Sequence, residues 1–598
     1  MKTTTGLALV LAGLAATATA AATDAVTVDV ATAATVDLTT DYSAADYSAT
    51  EETSSNRCRV LPGDAKWPSA MAWDILNLMV RGRLVPTVPL GHVCHAPDYD
   101  AAACAALQQA WTKPVTHIDS SSSVMQSFFA NQSCDPFSPQ STPCQLGNYV
   151  SYAVNVSTTT DVQVAVLFAK AYNLRLVVRN TGHDYFGRST GAGALAIWTH
   201  HLNDISFIPW SDSYFKGTAM KMGAGVMGYQ AAQAADAAGR VVVTGECPTV
   251  GLAGFTMGGG HSALSTSFGM GADQVLSVDV VTASGKLVTA SPTRNSDLFW
   301  ALLGGGPGTY GVVVSMTVKT YPNLKVGGAS LQLAAAYTTQ DKFNQAVASF
   351  FSLLPGMIDQ GADVLFVATG AALQINPVTV YNSTGEYVNQ TILAPFTAKL
   401  AELGIPYASK FTTLSYLDHY NTYMGPLPSG NMAVESYQFG SRLIPRSVLL
   451  NNNDALQAVV RNLTSQGLIL AGSSANYAAP AGAAPNAVLP AWRNATIQLQ
   501  LISFWNSDPA AWPTMLANQK RITEEFVPQI EAVTPGSGTY VNEADFNQPN
   551  WKDAFFGVNY GKLLAIKKKW DPDSLFYIAK GVGSDAWTVA SDGRMCRA

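Results

Sequence analysis

The residues of this 598-residue chain best suited to chemistry are a histidine and a cysteine in two separate glycine-containing stretches. His183 closes the run Arg179-Asn180-Thr181-Gly182-His183 and is followed by Asp184. Cys247 stands in Gly245-Glu246-Cys247-Pro248-Thr249-Val250-Gly251, which continues through Gly254 to Gly258-Gly259-Gly260-His261. Backbone amides in glycine-dense loops can approach phosphate oxygens closely. Glycine also simply permits turns with positive φ, but its density near Cys247 exceeds what turns require. The plainer readings are a loop-capping histidine and a buried free thiol. A third candidate is Glu543, in Tyr540-Val-Asn542-Glu543-Ala-Asp545. A carboxylate in a dry site gains basicity by desolvation and can serve as a general base. Its plainer reading is a structural hydrogen-bond acceptor, with Asp545 and Tyr540 as neighbours able to orient it.

These groups need elements to hold them. Val162, Val166 and Ala169 give a helical pattern over Asp161 to Asn173, and the run Leu174 to Val178 then predicts a strand that delivers the loop carrying His183. Val275 to Val281 and Lys286 to Thr289 predict a hairpin about Ser284-Gly285. Asp297 to Leu303 reads as a helix and Val312 to Thr320 as a strand. Beyond about Lys325 the glycine-rich texture ends. Helices such as Asp341 to Leu354 alternate with strands such as Thr496 to Phe504 up to about Gly538, the pattern of an inserted second domain.

Bulk composition narrows the class. Charged residues are 13% of the chain, against about 25% in an average soluble domain. The balance is mildly acidic, with 35 Lys plus Arg against 41 Asp plus Glu. No basic stripe is present to attract phosphodiesters, so no nucleic-acid partner is expected. Lys567-Lys568-Lys569 reads as a solvated helix face. Met1-Lys2, the apolar Gly6 to Ala15 and Ala18-Thr19-Ala20 predict a signal peptide over 1–20. A low-complexity leader over 21–55 lacks the material for a core. With no later spanning run, the chain is expected to be secreted, free of the membrane and monomeric. Seven cysteines suit that compartment. Cys94/Cys104 and Cys134/Cys144 are the simplest local bridges, which pairs Cys58 with Cys596 and leaves Cys247 over, although spacing alone does not fix connectivity. Sequons at Asn131, Asn155, Asn382, Asn389, Asn462 and Asn494 agree with export.

Two motifs mislead. Gly306-Pro-Gly308-Thr-Tyr-Gly311 matches a dinucleotide fingerprint, but a helix precedes it and a β-branched strand follows, the reverse of the required context. A tight turn is the reading preferred. His92-Val-Cys94-His95 lacks a second ligand pair at zinc-site spacing, so no metal is expected. His200-His201 reads as structural. A serine hydrolase is unsupported, since no G-x-S-x-G elbow occurs.

Taken in order, the His183 and Cys247 stretches, Asp297-Leu-Phe-Trp300 with Gly304-Gly305-Gly306, the Glu543 stretch and Phe556-Gly557-Val-Asn559-Tyr560 resemble the FAD-linked oxidases of the vanillyl-alcohol-oxidase superfamily, in the berberine-bridge-enzyme-like branch. The resemblance covers about residues 61–325 and 535–590 and is nearest to fungal isoamyl-alcohol-oxidase-like proteins. It implies an α+β fold: a PCMH-type FAD-binding domain in two segments, 56–325 and 535–598, with a substrate domain of antiparallel sheet and helices inserted over 326–534. It implies FAD held covalently by His183 and Cys247. Cofactor contacts would come from Arg179, Asn180, Thr181, Gly182, Asp184, Gly245, Thr249, Gly251, Gly254, Gly258, Gly259 and Asn559. Glu543 stands where many relatives carry a tyrosine base. Val250, small and three positions after the cysteine, implies access for dioxygen. Relatives often carry extra cysteines where this chain has Val60 and Lys66, which implies one bridge fewer. The reaction implied is oxidation of a small-molecule alcohol by dioxygen, giving a carbonyl compound and hydrogen peroxide. An oligosaccharide oxidase, a secondary-metabolite oxidase and a non-catalytic flavin-binding protein are the alternatives.

Overall fold

The structure, a computed structural model, describes residues 57–598; the expected signal peptide and leader lie outside the described residues. The first layer is a four-stranded sheet in the order Leu84–Pro86, Tyr152–Asn155, Leu195–Trp198, Leu176–Arg179. Its last three strands run parallel. The helix Thr159–Ala171 crosses between two of them. Thr158 and Asp161 form a reciprocal capping box at its start, and Val162, Ala165, Val166 and Ala169 form its buried stripe. Asp161 is fully buried and compensated by Arg81 and Arg83, each at 3.5 Å.

An antiparallel five-stranded sheet follows, ordered Ile205–Ser211, Lys216–Gly223, Val312–Lys319, Val275–Val281, Leu287–Ala290. The expected hairpin is its edge, with Val278 opposite Ala290 and Val281 opposite Leu287. The expected helix and strand flanking Gly306 are Ser296–Leu302 and Val312–Lys319, so the fingerprint-like glycines do sit between helix and strand in the inverted context.

Val326–Ala334 opens a seven-stranded antiparallel sheet. Its order is Ala408–Leu414, Val326–Ala334, Ala372–Tyr381, Ala362–Ala368, Ile469–Ser474, Ala495–Phe504, Tyr437–Pro445. The helices Gln340–Asp359, Ala394–Leu403 and Asn453–Ser465 bury Phe343, Phe350, Phe351, Phe396, Leu400, Leu456 and Val460 in one core with it. The architecture is therefore α+β.

The chain returns to its first half through the helix Tyr560–Trp570. Here the lysine run departs from expectation. Leu563, Ile566 and Lys567 share the buried side of this helix. Lys567 Nζ donates to Asp571 Oδ2 at 2.5 Å, Thr309 O at 2.7 Å and Phe576 O at 2.8 Å. Only its neighbours Lys568 and Lys569 are exposed. Disulfides join Cys58 to Cys596, Cys94 to Cys104 and Cys134 to Cys144, and Cys247 is the free cysteine, as the spacing suggested. His92 Nδ1 meets Pro89 O and His95 Nε2 meets Asp135 O, both structural contacts beside a disulfide. His200 and His201 pack on Trp198. Among the described residues no helix is long and apolar enough to cross a membrane.

Candidate active site

A long cavity runs between the two sheets of the first half, the C-terminal return and the inserted sheet. It encloses about 1640 Å³ of space free of protein atoms, its open mouth included. Its lining includes Leu176, Val178, Phe576 and Ile578 from the first half and the return, and Met432, Tyr437 and Phe439 from the inserted segment.

The strand Leu176–Arg179 ends at the cavity and hands over to the loop carrying His183. Gly182 has φ +89°, and a Cβ there would come 2.7 Å from Arg179 Nη1, so glycine is required on both counts. Asp184 holds the loop's exit by accepting from the backbone N–H groups of Phe186, Arg188 and Ser189. From the far side comes the Cys247 loop. His183 Nε2 lies 2.8 Å from Thr249 Oγ1, and Cys247 Sγ lies 3.5 Å from the same hydroxyl. Burial, with His117 and the Arg179 guanidinium nearby, pushes the His183 pKa down to about 3, leaving a neutral imidazole. Among the described residues its Nδ1 has no hydrogen-bond partner. Burial likewise pushes the Cys247 thiol up.

Glu543 enters from the C-terminal return. Its Oε2 accepts from Gln500 Nε2 at 2.7 Å and pairs with His261 Nε2 at 3.2 Å. Its backbone carbonyl accepts from the Ser441 hydroxyl. The expected neighbours behave differently. Tyr540 lines the cavity beside it, but Asp545 turns away to Gln519 and Thr523.

Of the sites expected from sequence, Asn180, Thr181, Gly182, His183, Asp184, Cys247, Val250, Gly251, Gly254 and Glu543 line the cavity. Six others do not. Thr249 sits just behind the wall, joining His183 to Cys247. Arg179 is buried under the loop and donates to His117 O at 3.1 Å. Gly245 accepts from the Tyr420 hydroxyl. Gly258 leaves room for the Asn542 side chain, whose Nδ2 would lie 2.2 Å from a Cβ there. Gly259 binds the Ala272 N–H through its carbonyl. Asn559, expected at the flavin ring, instead donates to Ala487 O and Val488 O. Conversely, Pro307, Gly308 and Gly311 of the rejected fingerprint do line the cavity.

Sequence reasoning missed several residues on the wall, namely Tyr185, Arg188, Glu435, Tyr437 and Phe439, and three bonded to Glu543 or to its partner behind it, Gln500, His261 and Glu246. His261 and Glu246 lay inside the quoted glycine motif, where their neighbours drew the attention. Arg188 and Tyr185 follow the His183 loop directly. Glu435, Tyr437, Phe439 and Gln500 belong to the inserted segment, and no local pattern marks them. Tyr185 and Phe439 stack at 4.1 Å between centroids. Glu435 occupies the left-handed region at φ +58° and bonds the Ser127 hydroxyl. Burial raises its pKa to about 8, against the Ser127 bond.

The cavity fits FAD chemically. Asn180 Oδ1, Arg188 Nη2 and Asn542 Oδ1 are buried polar atoms on its wall with no protein partner, a situation that calls for a bound ligand's donors and acceptors. Arg188 is the only Lys or Arg among the described lining residues. Burial lowers its pKa to about 10, which leaves it cationic for a phosphate. At Gly254 a Cβ would meet open space, so the backbone there is bare to a ligand.

Comparison with known proteins agrees. Residues 150–291 match the model "FAD binding domain", and residues 539–583 match "Berberine and berberine like". The chain is 48% identical to the FAD-linked oxidoreductase ZEB1 of Gibberella zeae over 555 residues, covering 92% of this chain and 97% of that one. It is 44% identical to the FAD-linked oxidoreductase patO of Aspergillus clavatus, covering 90% and 94%. The crystal structure of the VAO-type flavoprotein MtVAO615 from Myceliophthora thermophila C1 superposes with a TM-score of 0.88 at 42% identity, covering 90% of this chain and 100% of that one. A shared fold, the two family matches and a cavity whose polar wall lacks protein partners lead to one assignment: the chain belongs to the berberine-bridge-enzyme-like FAD-linked oxidoreductases of the vanillyl-alcohol-oxidase family.

Proposed function

We propose that this protein is a secreted, monomeric oxidase that carries FAD on both His183 and Cys247 and converts an alcohol and dioxygen into a carbonyl compound and hydrogen peroxide. The observation that carries the reading is the meeting of His183 and the chain's free cysteine, both on the wall that Glu543 also lines, at one hydroxyl behind it, that of Thr249. A neutral imidazole and a thiol converging there suit attachment to two edges of one planar ring. FAD, when bound, supplies the hydride acceptor and passes both electrons on to dioxygen.

The chain's own residues do the rest. Arg188, Asn180 and Asn542 offer the polar contacts that seat the cofactor. Gln500 and His261 hold one oxygen of Glu543, and the other, Oε1, takes the alcohol proton as the carbon loses hydride. Tyr185 and Phe439 bound the space and keep water from the reacting carbon. Val250 leaves a path for dioxygen. The signal-like segment, the disulfides and the sequons support export.

Acid precipitation of the purified protein tests the attachment. The yellow colour should stay with the polypeptide, and peptide mass mapping should find flavin on the His183 and Cys247 peptides. Colour in the supernatant would defeat it. Peroxide release from an alcohol panel tests the reaction: Glu543→Gln should keep its flavin and lose roughly 10²–10⁴-fold in rate.

A further inference from the structure

We propose that His261 is the positioning residue of the base, an imidazolium clamped between Glu246 and Glu543 that supplies their shared counter-charge and keeps Glu543 aimed; this rests on reading Glu543 as the base.

The geometry carries the argument. His261 Nδ1 lies 3.2 Å from Glu246 Oε1, and Nε2 lies 3.2 Å from Glu543 Oε2. Carboxylates accept and do not donate. An imidazole with one on each side satisfies both only by carrying a proton on each nitrogen. The ring is 5% exposed. Trp492 lies 6.1 Å away in a stacked orientation and Tyr540 meets it edge-on at 5.4 Å, so its tilt is fixed. Ser473 Oγ donates to Glu246 Oε1 at 3.3 Å and holds the far carboxylate in place.

No other charge in the neighbourhood can take over. Tyr540, Tyr477, Tyr420 and Tyr185 are buried phenols whose pKa values burial raises well above the ordinary value, with Tyr416 raised too. Burial also raises the pKa of Asp363 well above the carboxylate range. The Cys247 thiol is pushed up in the same way. Between the two glutamates, then, stands a single cation. Their pull raises the His261 pKa well above 6.5 even though burial opposes it. Without that cation two carboxylates would face each other with no counter-charge between them. Oε2 of Glu543 receives both protein donors, so Oε1 is the oxygen left for a substrate.

The test needs no substrate. Holoenzyme grown with ring-¹⁵N histidine is followed by NMR from about pH 5 to 9, with His261→Asn identifying the resonance by its disappearance. The expected result is a ring protonated on both nitrogens across the range. Glu246→Gln and Glu543→Gln should each lower its pKa, and the flavin absorbance serves as the control for folding. A His261 ring that is singly protonated near neutral pH, or whose pKa neither glutamine variant moves, overturns the proposal. Failure of the base itself reads out separately, as undiminished peroxide release from Glu543→Gln while His261 of the unsubstituted protein is doubly protonated and its pKa falls in both glutamine variants.

Discussion

His183 Nε2 and Thr249 Oγ1 stand 2.8 Å apart, and the bond fixes which imidazole nitrogen remains available to a ligand. With Nε2 engaged, Nδ1 is the nitrogen that the proposed attachment would use. Thr249→Val removes the partner and leaves a buried ring nitrogen unbonded, at a cost of about 1–3 kcal/mol. The fraction of flavin retained after acid precipitation should fall severalfold, and Thr249→Ser should restore it. Unchanged retention in the valine variant would show that the hydroxyl does not orient the ring.

Val250 lines the cavity next to Gly251, within the turn that its own N–H closes on Cys247 O at 3.3 Å. Val250→Ile adds one methylene on the route assigned to dioxygen. After anaerobic reduction by dithionite, reoxidation on mixing with oxygen should slow by roughly tenfold, equivalent to about 1.4 kcal/mol. The spectrum of the oxidised flavin should be unaltered. Equal reoxidation rates would remove Val250 from that route.

Glu435 predicts a pH effect of definite sign. Its pKa is about 8 in the fold, where burial opposes the charged form, and about 4.3 in an unfolded chain. Across that window the native state keeps a proton that the unfolded chain has lost, so the group's contribution to stability falls as pH rises from one value to the other. Glu435→Gln should remove this slope and raise stability at pH about 8 by a few kcal/mol. Melting temperatures of both proteins against pH decide the matter, and parallel curves would refute it.

Lys567 and Lys568 adjoin in sequence and should behave oppositely. Lys567→Met strands buried Asp571 and frees Thr309 O, so a loss of about 3–5 kcal/mol is expected. Lys568→Met, on the exposed side, should shift stability by less than about 0.5 kcal/mol. Thermal unfolding of the two variants measures the contrast.

What the sequence made legible follows from range. The helix Thr159–Ala171 and the hairpin of Val275–Val281 with Leu287–Ala290 declare themselves in their own periodicity and turn residues. His183 and Cys247 were readable because glycines crowd their loops. Glu435, Tyr437, Phe439 and Gln500 were not. Which side of a strand faces a cavity is decided by the neighbouring layer, here a sheet laid against loops far away in the chain. Asn559 could not be oriented from a family motif: its amide nitrogen donates to the Ala487 and Val488 carbonyls. Lys567 was misread because three like charges in a row conceal the helical spacing that buries the first of them.

The cavity draws its walls from residues as early as Met125 and as late as Ile578, with Glu435 and Phe439 between. A ribosome releases these in order, so a nascent chain can complete its inserted sheet while the flavin chamber still lacks Glu543 and Tyr577. A chain truncated before the return would therefore lack part of the wall that faces His183 and Cys247.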